Sequence, residues 1–150
     1  MDRVAVFTPL AVGSSAIAFT ILVHGAALVT NLNFIRHERV HGYVGTGFWT
    51  DLRIVGTAVM IALIAHVIEI GGWALLLVLI GEFQEFGIAF YHSAMNYTSL
   101  GYGDIVMSPA WKMLGPFEAA NGLLMFGVST AMIFAVIQRL VETRYPDLRA

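Results

Sequence analysis

Thr98-Ser99-Leu100-Gly101-Tyr102-Gly103-Asp104 is the stretch on which the reading of this chain turns. Glycine at alternate positions permits backbone angles closed to other residues, so consecutive carbonyls can point to one side instead of alternating as in a strand. Brought around one axis by several chains, such rows of oxygen can replace the water shell of a dehydrated monovalent cation, with the side chains of Leu100 and Tyr102 pointing outward to brace the backbone. Ser99 adds a hydroxyl ring beneath. A helix ending just before the stretch, and aimed at the same axis, adds negative partial charge where the cation waits.

The surrounding sequence supplies that helix. From Glu82 to Met113 the chain is moderately apolar, with a helix-compatible stretch from Gln84 to Tyr97, and it then meets Pro109 and Pro116. A helix of about 13 residues rises only about 20 Å, too short to cross a hydrocarbon core. The segment is therefore expected to enter and return on one side, lining a cavity.

Three longer apolar runs lie around it, at about Thr8 to Leu32, Ile54 to Gly81 and Phe117 to Gln138. Each is long enough to span a bilayer, and each must be helical, because lipid offers the backbone no hydrogen-bond partner. The first run is read as a retained span, since its leader contains Asp2 as well as Arg3 and no clear cleavage site follows. Residues 33 to 53 carry Arg36, Arg39, Arg53, His37, His41 and Trp49, and read as a polar loop along a membrane surface.

Composition agrees. The 150 residues are 58% hydrophobic and only 12% charged, half the charge a water-soluble chain usually carries to wet its surface. A net charge of −2 provides no field for phosphate backbones, so a nucleic-acid partner is not expected. The absence of cysteine excludes disulfides and thiolate metal sites. The expected fold class is an all-α integral membrane protein, with three transmembrane helices, a re-entrant helix and an extended glycine segment.

The string at 98 to 104 resembles the T-x-G-Y-G-D selectivity filter of potassium channels, and the layout from Ile54 onward resembles their pore domain of two spans flanking a pore loop. Ser99 and Leu100 stand where threonine and valine are usual, and Tyr91-His92 where the pore helix usually carries an aromatic pair. The resemblance implies that Ser99, Leu100, Gly101, Tyr102 and Gly103 line the ion path and bind potassium, the one metal ion expected, with Thr98, Asp104, Tyr91, His92 and Glu118 supporting the filter. It also implies a homotetramer, the chain having one such string and no internal repeat. No cofactor beyond the permeant K+ is expected, and no enzymatic activity. The domain reading is an extra transmembrane helix and connector at 1–53, a channel-like module at 54–141 and a short tail at 142–150.

Other residues carry weaker signals. His66 and Glu69 share one face of the second span, and ionisable groups there must face protein or water. They are read as an interhelical clamp to the first span or to Asn121, or as a proton-sensitive gating pair. His24 is read as a packing residue. Glu118 either braces the filter or faces headgroups. Gly122 and Gly127, with Ser129 and Thr130, mark either a gating hinge or close packing, and Phe134 either a constriction or a lipid-facing ring. A voltage sensor is excluded by the lack of an arginine ladder, and no ligand-sensing domain is expected after Gln138.

Basic residues favour the cytoplasmic side. Putting the filter outside places Arg36, Arg39, Arg53, Arg139, Arg144 and Arg149 inside, with only Arg3 and Lys112 outside. The expected location is the plasma (inner) membrane, with the N-terminus external and the C-terminus cytoplasmic. A nonselective monovalent-cation channel is the nearest alternative. A metal-binding protein built on His24, His66, Glu69 and Glu118 lacks any spacing like His-Glu-x-x-His, and a nonconducting accessory subunit leaves the glycine string without a purpose.

Overall fold

The computed structural model describes residues 6–145, and Arg3 and Arg149, placed above by charge, lie outside them. Four helices follow one another: α1 (Phe7–Val40), α2 (Phe48–Leu79), α3 (Phe86–Tyr97) and α4 (Leu114–Arg144). No strand occurs among the described residues. Helices α1, α2 and α4 are long and apolar enough to cross a membrane. The 12 residues of α3 rise about 18 Å and are not.

The polar loop expected at 33 to 53 is mostly helix. Helix α1 continues eight residues past Leu32 to Val40 and α2 begins at Phe48, leaving residues 41–47 as the connector. Helix α1 is about 51 Å long at 1.5 Å per residue, well beyond a core about 30 Å thick. Charges on such an extension are solvated or paired without ending the helix. Arg53 grips Glu38 with both guanidinium nitrogens, at 3.1 and 2.5 Å, and Asp51 takes bonds from the Gly45 N–H and from Arg144. The expected boundaries at 53/54 and 141/142 accordingly fall inside α2 and α4.

Helix α1 packs on α2 and α4, and α3 sits between α2 and α4 at one end of the bundle. The buried stripe of α1 is Pro9, Gly13, Ala16, Thr20, His24, Asn31 and Glu38, small residues giving way to polar ones at helical spacing. This is how helices associate in lipid, where close approach and buried hydrogen bonds replace the hydrophobic drive. The stripe makes those bonds: Thr20 donates to Asn121 Oδ1 at 3.0 Å, and the Asn31 amide donates to the Ala58 carbonyl at 3.2 Å. On other faces of the three long helices Leu22, Leu63, Val67, Leu75, Leu123 and Leu124 stay exposed, as lipid-facing residues should.

Two apolar clusters fill the interior. Trp73, Leu77 and Leu114, all fully buried, pack with Tyr97 of α3 in one cluster, while Ile54, Ala58, Val136 and Leu140 close the opposite end. The larger of the two clusters is the one beside the glycine segment.

Candidate functional site

Helix α3 stops where its sequence turns from Tyr97 to Thr98. The Thr98 hydroxyl bonds back to the Ala94 carbonyl at 2.7 Å, and the Ser99 N–H reaches the Asn96 carbonyl at 2.8 Å. Thr98 therefore terminates the helix. The Gly101 N–H then returns to Met95 O at 3.1 Å, folding the segment over the carboxyl end of α3.

Beyond that point the backbone takes a regular alternation. Ser99, Gly101 and Gly103 have φ of 58°, 56° and 74°, all left-handed, and Ser99 is the one non-glycine residue among those described to do so. In a strand successive carbonyls point to opposite sides; inverting φ at every second residue turns alternate peptide planes back toward the same side. Glycine adopts these angles freely. Serine does so at a cost of order 1 kcal/mol or more, which surrounding structure must hold in place.

Residues of α3 and of the loop supply such structure. Tyr91 donates its hydroxyl to Asp104 Oδ2 at 2.9 Å, and the hydrogen bond to Asp104 holds the tyrosine pKa above its ordinary value. His92 is buried, bonds Asn96 at 2.8 Å and lies against the Phe83 ring. Burial lowers its pKa, against opposing pulls from the Ile105 backbone, Glu82 and Asp104. Glu82, unremarked in the sequence, takes the Ser108 N–H at 2.5 Å and its hydroxyl at 2.7 Å, tying the entry of the loop to its exit. Leu100 and Tyr102 are 52% and 69% exposed, so within one chain neither braces the segment. A cavity of about 410 Å³ lies behind it, lined by Ser99, Gly101 and Gly103 together with residues of α3 and the start of α4.

Glu118 is fully buried and has Ser93 and Asn96 of α3 as polar neighbours, so it does not face headgroups. Gly122 sits under the end of α3: a Cβ there would overlap the Tyr97 carbonyl. Gly127 has open space around it, and Phe134 is 66% exposed. Helix α4 runs unbroken through both glycines.

His66 and Glu69 are joined by a residue that the sequence reading set aside. His24 Nδ1 donates to Glu69 Oε1 at 2.9 Å, and the Tyr97 hydroxyl donates to Glu69 Oε2. His66 lies 3.1 Å from the Tyr97 hydroxyl and 3.0 Å from Ser129 Oγ, which is also 3.1 Å from His24 Nε2. His24 is therefore a bonding partner as well as a packing residue. Asn121 takes no part, since its carbonyl oxygen accepts from Thr20 instead. The knot links all four helices.

Its hydrogen count is informative. Five bonds close the ring, whereas neutral His24, His66, Ser129 and Tyr97 carry one donor hydrogen each, or four. Satisfying every bond therefore needs one proton beyond those and an ionised Glu69, shared among His24, His66 and Glu69. The ring is then neutral overall, as the low dielectric requires. His24, His66 and Glu69 also bring ligand-type atoms within 4.8 Å of one another, a cluster that no sequence spacing signals, and Glu118 is not in it. Those same atoms are the ones engaged in the ring.

A family model described as ion channel matches residues 57–139, which run from α2 through α3 and the glycine segment to α4. No curated protein and no solved structure matches the chain. The chain belongs to that ion channel family.

Proposed function

We propose that this member of the ion channel family assembles as a homotetramer around the axis of its 99–103 segments and passes potassium ions passively through them. The observation that carries the reading is the left-handed backbone at Ser99, Gly101 and Gly103, placed directly after a short helix whose carboxyl end is fixed against α2 and α4. Carbonyls on one side of such a segment offer a dehydrated monovalent cation a substitute for water, and the helix terminus adds negative partial charge. Leu100 and Tyr102 are the parts of the segment left exposed, and in the tetramer they pack against a neighbouring copy. Potassium flux into liposomes tests this, with Gly101→Ala abolishing it, because a side chain opposes the left-handed φ of 56°.

A nonselective monovalent-cation channel is the second reading, favoured by Ser99 and Leu100 in place of the threonine and valine usual in the potassium filter that this segment resembles. Equal sodium and potassium permeability is its signature. Gating belongs to α4, with Gly127 free to bend and Phe134 able to narrow the path, or to the His66 and Glu69 knot through its shared proton. The chain sits in the plasma (inner) membrane with the filter and N-terminus outside. Single cysteines at Lys112 and Arg36 decide the orientation: an impermeant reagent added outside should label the first and not the second.

A further inference from the structure

At the end of the bundle away from the glycine segment, α1 and α4 part around a cavity of about 570 Å³. Its lining is graded. Leu32 and Ile35 of α1 and Met132 and Ala135 of α4 form an apolar floor, and Arg36, Arg39 and Arg139 form the rim. On α1 the change from Leu32 to Arg39 takes seven residues on one helical face, about 10 Å along the axis, which is the distance over which a phospholipid passes from acyl chain to phosphate.

The rim is electrically unbalanced. Glu142 is the acidic residue in the lining and bonds Arg139 at 3.2 Å, while the ion pairs found among the described residues join Glu38 to Arg53 and Asp51 to Arg144. None of these includes Arg36 or Arg39. Among the described residues of the lining, three arginines against one carboxylate leave an excess of two positive charges over an apolar floor. Arginine forks suit phosphate oxygens, and Gln138 and Thr143 add polar atoms to the same wall.

We infer that this cleft is a binding site for an anionic phospholipid, with the headgroup phosphate held by Arg36, Arg39 and Arg139 and an acyl chain lying along Leu32, Ile35, Met132 and Ala135. The charge excess selects against a zwitterionic lipid, and the apolar floor against a free phosphate. Helix α1, which lies outside the matched residues 57–139, supplies half of the site. A lipid seated there cross-links α1 to the last turns of α4.

Native mass spectrometry of the purified full chain, titrated with phosphatidylglycerol, tests the site directly. Phosphatidylglycerol should be retained, phosphatidylcholine of the same chains should be retained much less, and inorganic phosphate should not displace the bound lipid. Each arginine is expected to be worth about fivefold in affinity, so Arg36→Gln with Arg39→Gln should weaken binding about twenty-fivefold. The corresponding double lysine variant should keep most of it, and Lys112→Gln, remote from the cleft, should change nothing. Unaltered phosphatidylglycerol affinity in the double glutamine variant, equal retention of phosphatidylcholine, or displacement by phosphate each overturns the proposal. If the double variant does not fold, Arg139→Gln carries the same test, with about fivefold weakening expected and an unchanged affinity overturning it. Occupancy is read without ion flux, so its failure leaves the channel reading untouched.

Discussion

The Tyr91 hydroxyl donates to Asp104 Oδ2 across 2.9 Å, joining the middle of α3 to the residue that closes the glycine segment. Together with the Ser99 N–H on Asn96 O, it fixes both ends of a backbone held at unusual angles. If that joint maintains the conducting shape, Tyr91→Phe and Asp104→Ala should each speed the decline of current during sustained activity. The double variant should be no worse than either single one, because one bond is lost in all three. Additive effects in this double-mutant cycle would contradict the joint.

The two glycines of α4 should behave oppositely. Gly122→Ala places a methyl on the Tyr97 carbonyl, so α3 and α4 must separate, and a loss of about 1–3 kcal/mol in stability is expected. Gly127→Ala meets nothing and should leave stability unchanged, or raise it by about 0.5–1 kcal/mol through helix propensity. Thermal unfolding in detergent measures both. If α4 bends at Gly127 during opening, that same variant alters open probability without altering ion preference.

How much of this was legible in the sequence follows from what each residue type signals. The three spans and α3 were legible from apolar run lengths, and Gly101 and Gly103 from the identity of glycine itself. Ser99 was not, because nothing in a serine side chain announces φ of 58°. Arg36, Arg39 and Arg53 read as a loop because charge pattern alone does not separate a solvated connector from a helix continuing beyond the membrane. His24 looked isolated in its own run. Its partners, Glu69 and Ser129, lie 45 and 105 residues away, although the stripe of Thr20, His24, Asn31 and Glu38 on one face of α1 was a readable sign of a buried polar seam.

The four-helix knot yields a test of proton sensing. A ring that closes only with one shared proton should respond when that proton is lost or a second arrives, so open probability is expected to depend on pH. His66→Gln and Glu69→Gln should flatten or shift that dependence and leave ion preference intact. A purely structural knot predicts weaker tetramers in detergent at every pH and the same pH response as the unsubstituted protein. Recording single channels and detergent stability on the same two variants separates the two roles.

His92 provides a stability prediction with a definite sign. Burial lowers its pKa in the folded chain, so below the unfolded value of about 6.5 the unfolded state takes up a proton that the folded state resists. Its contribution is full above about pH 6.5 and is lost as pH falls from there through the folded value. Melting temperature in detergent should therefore drop more steeply below pH 6.5 in the unsubstituted protein than in His92→Phe. Parallel curves would contradict the assignment.

The central claim is that Ser99 to Gly103 form a potassium-selective path. The reversal potential of purified protein in a planar bilayer with unequal potassium and sodium addresses it most directly. A potential that follows the potassium gradient, with Gly101→Ala silent, is the predicted result. A potential indifferent to the exchange of sodium for potassium, or full conduction in Gly101→Ala, would contradict it.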